Sequence, residues 1–160
     1  GISLLKDLNL IEPLELKNID TLVPTPSLIA IWAQLDVDSI YNFSNYEKDT
    51  ILKIKELLNK NILDNKNLYY YGLYISSLAG EIKGISKKDI TEKYNSLSIK
   101  SPKDIVINGK KISEILKVKP GSYIKTIMKD LESNILDGKL NNDYNELRKY
   151  IIENKNKFLD

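Results

Sequence analysis

A chain of 160 residues with 42% hydrophobic and 29% charged side chains is long enough to bury a core and lies away from the disordered corner of composition. It holds no Cys and no His, which excludes a disulfide framework, thiolate zinc sites and Ser-His-Asp or Cys-His catalysis. No apolar run approaches the roughly 20 residues that cross a bilayer and no signal-peptide layout opens the chain, so a cytoplasmic protein with no membrane partner is expected.

The net charge of +2 conceals a segregation. Residues 1–82 carry 7 Lys against 11 acids, residues 83–129 carry 12 Lys against 4, and residues 130–160 carry 5 basic groups against 7. Lys outnumbers Arg 23 to 1, beside 23 Ile and 16 Asn, which reads as codon bias. Where the excess sits is therefore more informative than its size. The charge alone leaves a solvated face and an anion-binding surface equally open. Met128 is the only methionine, so the chain is expected to be a piece of something longer or trimmed.

Helical signals dominate from end to end. Thr25 as N-cap and Pro26 at the first helical position predict a short buried helix carrying Leu28, Ile29, Ile31, Trp32 and Leu35. Ile51, Ile54, Leu58 and Ile62 predict an amphipathic helix over about 46–63, ended by the stretch 64–67. Residues 68–79 have helical period. Gly72 and Ser76 place small residues on one face for close helix approach, and the four tyrosines read as packing residues with their hydroxyls at the surface. Ser86 and Asp89 form a capping-box pair opening a helix over 87–94, and a loop over 95–100 follows.

Asn108-Gly109 marks a tight turn; Ile112, Ile115 and Leu116 mark a short helix. Pro120 starts the next, with a stripe of Ile124, Ile127 or Met128, Leu131 and Ile135. Gly138 sits where a C-cap belongs, and Asn142 is placed to cap a last helix carrying Leu147, Tyr150 and Ile151. Ile105-Val106-Ile107 is the nearest approach to a strand. The fold class expected is all-α: a compact bundle-like body over 1–82, then a smaller basic helical tail over 83–160.

Motifs for chemistry are mostly missing. Asp36-Val37-Asp38 has the spacing of carboxylates that hold two metal ions, but it follows an apolar helix with no Gly-Gly or Gly-Ser turn before it, so it reads as an interhelical loop. Arg148 lies in Asn145-Glu146-Leu147-Arg148, which does not match the Glu-Asp-x-x-Arg element that reads an incoming base. No Gly-rich phosphate loop is present. The expectation is a chain with no catalytic residue, no metal site and no cofactor of its own.

One ordered set of motifs is more specific. Ser101-Pro102-Lys103-Asp104-Ile105-Val106-Ile107-Asn108-Gly109, then Lys119-Pro120-Gly121, then Leu136-Asp137-Gly138-Lys139-Leu140-Asn141-Asn142 resembles the C-terminal segment of bacterial CCA-adding enzymes and related poly(A) polymerases. That family shows a Lys/Arg-Asp-Leu-x-Ile-x-Gly turn, a Lys-Pro-Gly helix start and a Gly-Lys-Leu-x-Asn turn. Residues 21–80 fit its helical body in pattern only. The departures are Lys for Arg throughout and Ser122 where the family often has a proline.

The resemblance implies a noncatalytic body and tail that hold the acceptor stem and elbow of tRNA, beginning after the neck. A head and neck of the same parent would use magnesium with CTP or ATP to add or repair the 3′-CCA end. It implies RNA contacts from Lys100, Lys103, Asn108, Gly109, Lys110, Lys111, Lys117, Lys119, Gly121, Ser122 and Lys125. A helix starting at Lys119-Pro120-Gly121-Ser122 points free amides outward, and Gly121 lets a phosphate approach. Taken without the resemblance, the same residues form a well-capped helix. The rival readings are a helical protein-interaction domain with no RNA role, and a duplex-DNA binder for which no basic groove helix can be identified.

Overall fold

The computed structural model describes residues 18–35 and 42–159; the Asp36-Val37-Asp38 pair lies outside them. The described residues form eight α-helices and no strand, an all-α fold. They fall into two compact units divided between Glu92 and Lys93.

In unit 1, α1 spans Leu28–Leu35. Its first bond runs from the Ile31 amide to the Ser27 carbonyl, so the chain enters the helix at Ser27, two residues later than Thr25-Pro26 suggests. The buried side is the small one, Ala30 and Ala33 with Leu35, while Leu28 is 69% exposed. The Gln34 side chain donates to the Val23 carbonyl and accepts from the Val23 amide, tying the incoming strand of chain to the helix.

Helix α2, Asn45–Leu58, starts with a reciprocal capping box. Ser44 Oγ accepts from the Glu47 amide and the Glu47 carboxylate accepts from the Ser44 amide, which satisfies two orphan donors at once. It buries Thr50, Ile51, Ile54 and Leu57. Ile62 is equally buried but sits in the turn beyond, because the helix ends at Leu58.

Helix α3, Asn65–Lys83, is capped by Asp64 and broken at Gly72, whose φ of 74° and ψ of 170° are open only to glycine. A Cβ at Gly72 would meet nothing within 4 Å, so the residue serves the break and not a close helix contact. Close approach occurs instead at Gly80, against Ile90. The break also strands a hydroxyl. Ser77 Oγ donates to the Leu73 carbonyl four residues back, whereas the corresponding carbonyl for Ser76 belongs to Gly72 and has left the helix. Ser76 Oγ is fully buried without a partner.

The tyrosines divide. Tyr71 is buried with its hydroxyl donating to Glu56 and accepting from Lys60, whereas Tyr70 and Tyr74 are 71% and 54% exposed. Helices α1, α2 and α3 pack mutually. Helix α4, Lys87–Asn95, begins where Ser86 Oγ accepts from the Asp89 amide and buries Ile90.

Unit 2 holds a 3₁₀ turn at Pro102–Asp104 and four helices: α5 Gly109–Leu116, α6 Tyr123–Leu136, α7 Tyr144–Glu153 and α8 Lys155–Leu159. Its core comprises Ile105, Ile107, Ile112, Ile127, Leu131, Ile135, Leu147 and Ile151. Each contributes roughly 1.5–3 kcal/mol by leaving water. Ile105 and Ile107 point inward and Val106 outward, so the three alternate as an extended segment without a strand partner. Asn142 accounts for that. It does not cap the last helix; Asp143 does, accepting from the Asn145 and Glu146 amides. Asn142 instead accepts from the Val106 amide at 3.0 Å and donates to the Asp104 carbonyl at 2.7 Å, doing for this segment what a neighbouring strand would do. Gly138, at φ 70°, follows the Asp137 C-cap of α6 as a left-handed stop.

Candidate nucleic-acid interface

The eleven residues singled out for RNA contact all lie in unit 2, and the fold sorts nine of them into two groups, with Gly121 and Ser122 standing at the start of α6. The first group is occupied by the fold itself. Asn108 is the N-cap of α5, its side chain accepting from the Lys111 amide at 3.0 Å, so Asn108-Gly109 opens a helix and is not a free turn. Gly109 admits α6, since a Cβ there would approach Ile124 Cγ2 to 2.9 Å. Lys111 donates to the Val106 carbonyl and stands over the Tyr144 ring at 5.4 Å. Lys100 lies 6.0 Å from the Tyr94 ring centroid and donates to the Asn95 carbonyl. Its backbone amide, with that of Ser101, donates to Asp104. These bonds, the Lys100 amide first, hold the Asp104 carboxyl below the ordinary carboxylate range.

The second group is unoccupied. Lys103, Lys110, Lys117, Lys119 and Lys125 are exposed and make no ion pair among the described residues. Lys129, one turn beyond Lys125 on α6, joins them. Lys117 is the C-cap of α5 at φ 56°, a left-handed position that suits glycine better.

Helix α6 begins at Tyr123, three residues after Pro120. Ser122 stands at its N-cap in αR conformation with no side-chain cap bond, and its carbonyl takes the Lys125 amide while that of Gly121 takes Ile124. Lys119, Gly121 and Ser122 line one cleft of about 380 Å³ with Val118, Tyr123, Thr126, Phe158 and Leu159. The last two were not anticipated. No period or motif links a distant Phe-Leu pair to the Lys-Pro-Gly turn. Thr126, one helical turn from Ser122, was legible from spacing alone.

Helix α8 is held against α6 by an ionic network. Asp130 accepts from Lys157 at 2.9 Å and from the Tyr150 hydroxyl at 2.6 Å. Burial first, and then this bond, pushes the Tyr150 phenol up; the same carboxylate raises Lys157.

A family model described as tRNA nucleotidyltransferase domain 2 matches residues 39–151, more than two thirds of the chain. The chain belongs to this family. Among curated members of the wider group, the CCA-adding enzyme of Ligilactobacillus salivarius is 33% identical over 103 residues, which is 61% of this chain and 24% of that protein. The CCA-adding enzyme of Streptococcus pneumoniae is 37% identical over 73 residues, 46% of this chain and 18% of that protein. The chain therefore spans about a quarter or less of the length of these relatives. The fold is that of a crystal structure of the Bacillus stearothermophilus CCA-adding enzyme in complex with CTP. The TM-score is 0.70 at 16% identity, covering 82% of this chain and 39% of that one.

Among the described residues no group of three or more metal-binding side chains occurs, and no helix is long and apolar enough to cross a membrane.

Proposed function

We propose that this tRNA nucleotidyltransferase domain 2 chain holds tRNA, by its acceptor stem and elbow, for an enzyme that adds or repairs the 3′-CCA end. A head and neck of the same parent protein would supply the chemistry with magnesium and CTP or ATP. The observation that carries the reading is the row of exposed lysines without ion-pair partners, Lys103, Lys110, Lys117, Lys119, Lys125 and Lys129, in a unit with 14 basic groups against 9 acids. Structured RNA is gripped largely through phosphates and 2′-hydroxyls, for which free ammonium groups on a rigid helical frame are suited. The names of the relatives point the same way. The body would correspond to residues 1–82 and the tail to 83–160.

The test is binding of an unmodified tRNA transcript across a salt series. The logarithm of affinity should fall linearly with the logarithm of salt, by roughly 0.7–0.9 per phosphate contacted. Absence of binding at low salt would overturn the reading. In the same reading the isolated chain adds no CTP or ATP to tRNA lacking CCA, even with magnesium. Incorporation that disappears in an Asp36→Ala, Asp38→Ala variant would place an active site here.

A second reading, a protein-docking module, is favoured by Tyr46, Leu52, Tyr70 and Tyr74 of unit 1, which are 54–71% exposed. Exposed large apolar side chains, where they gather into a patch, mark docking surfaces. It predicts tRNA affinity indifferent to the unit 2 lysines.

A further inference from the structure

The cleft lined by the Val118–Ser122 turn, the first turn of α6 and α8 carries two kinds of side chain: Lys119, Ser122 and Thr126 are cationic or polar, and Val118, Phe158 and Leu159 are apolar. Val118 and Leu159 keep 38% and 41% of their surface in water at its rim. No acidic residue lines it among the described residues. Its volume, about 380 Å³, falls in the roughly 300–1,000 Å³ range of small-ligand clefts.

The cleft is also built rigidly. The Tyr123 hydroxyl donates to the Val118 carbonyl at 3.1 Å and lies 3.2 Å from Ser113 Oγ, fixing a ring that lines the cleft. A Cβ at Gly121 would come within 3.3 Å of that ring, so the glycine lets the turn lie close to it. Helix α8, which supplies Phe158 and Leu159, is tied down through Lys157 and Asp130. A preformed site loses less freedom when it is filled.

We propose that this cleft receives one unstacked nucleotide of a structured RNA, its base against Val118 and Leu159 and its phosphate on Lys119, Ser122 and Thr126. The proposal rests on the tRNA-holding reading and names one contact within it. A fully paired A-form helix hides its base faces and has no use for apolar lining residues, whereas a nucleotide splayed from a loop presents both a base face and a phosphate. A free phosphate would use the polar lining residues alone. The surplus of unpaired lysines around the turn supplies the matching charge.

The experiment compares three variants on exposed positions, each checked by thermal melting: Val118→Ala with Leu159→Ala, Lys119→Gln alone, and Lys103→Gln with Lys110→Gln. The probes are an unmodified tRNA transcript and a fully paired RNA duplex of equal length. The double alanine variant should bind tRNA about fivefold or more weakly with an unchanged salt slope, as loss of apolar burial does, and should bind the duplex as the wild type does. Lys119→Gln should weaken tRNA binding and lower the slope by roughly 0.7–0.9. If Lys103→Gln with Lys110→Gln weakens tRNA binding but the alanine pair does not, the cleft is not a nucleotide site and the tRNA-holding reading survives. Equal losses on tRNA and duplex from the alanine pair also overturn the proposal. No tRNA binding by the wild type overturns both.

Discussion

Unit 1 and unit 2 carry ten and fourteen basic groups and use them differently. In unit 1 several are spent on the fold: Lys53 pairs with Asp49, Lys60 donates to the Tyr71 hydroxyl and lies over its ring, and Lys83 donates to the Lys60 carbonyl. Among the described residues of unit 2 the paired lysines all lie beyond α6, at Lys139–Asp137, Lys149–Glu153 and Lys157–Asp130. Among the same residues the lysines of α5, α6 and the turn between them stand free apart from Lys111. The lesson is that partner status, more than lysine content, separates a solvated face from a surface available to an anion. In a lysine-rich chain the count by itself says little.

The largest effect expected from this contrast is in tRNA affinity. Replacing Lys103, Lys110, Lys119 and Lys125 with Gln should weaken binding by more than about tenfold near physiological salt and flatten the salt slope by roughly three. Replacing Lys48, Lys53, Lys55 and Lys60 of unit 1 should change affinity less than about twofold, since that unit carries 10 basic groups against 13 acids and offers an anion no net attraction. Equal losses from both sets, measured by filter binding, would erase the distinction between the units.

Next in size are backbone effects, one in each unit. Gly72→Ala should destabilise unit 1 by about 1–3 kcal/mol in denaturant melts, because space is free but the backbone angle is not. Ser76→Ala should be neutral or stabilising, as it removes a buried hydroxyl without a partner, while Ser77→Ala loses about 1 kcal/mol with its bond to Leu73. A Ser76→Ala cost as large as that of Ser77→Ala would mean the hydroxyl is satisfied. In unit 2, Lys117→Gly should raise stability by about 1 kcal/mol through relief of the left-handed strain and lower tRNA affinity together. Affinity unchanged by that substitution would remove Lys117 from the interface.

Helix content and the main stripes were legible because burial follows a 3.6-residue period: Ile51 with Ile54, and Ile127, Leu131 and Ile135, needed no tertiary knowledge. Helix starts were less legible. At Pro26 and Pro120 the chain waits two or three residues before coiling, since a proline tolerated at a first turn does not compel one there. Asn142 was misassigned to the cap next door because a side chain that reaches 36 residues back leaves no local pattern. The free lysines could be named from the sequence, but which of them the fold would occupy could not. Lys111 and Lys110 are neighbours, and the Val106 carbonyl together with the Tyr144 ring tells them apart.

The smallest effect expected is a difference in acid response. Three carboxylates with at least partial access to solvent are held below their ordinary range by groups they accept from, Glu47 in unit 1, and Asp104 and Glu146 in unit 2. Ser44 is the cause for Glu47, the Lys100 amide first for Asp104, and the Asn141 side chain first for Glu146. A carboxyl with a lowered folded value contributes stability above its unfolded value, near 3.9 for Asp and about 4.3 for Glu, and loses it as pH falls through the folded value. Below about pH 4 the 100–104 turn and the 141–146 corner of unit 2 should therefore loosen, while among the described residues of unit 1 the Ser44–Glu47 box is what is lost. Amide exchange of Ser101 and Asn141, followed from pH 5 to pH 2 and corrected for intrinsic rates, should lose protection across that window. Asp104→Asn and Glu146→Gln should show the same loss already at pH 6, each at its own loop. Protection at both amides that persists in the variants would mean that the carboxylates are bystanders and that the loops are held by Asn142 and the Asp143 cap alone.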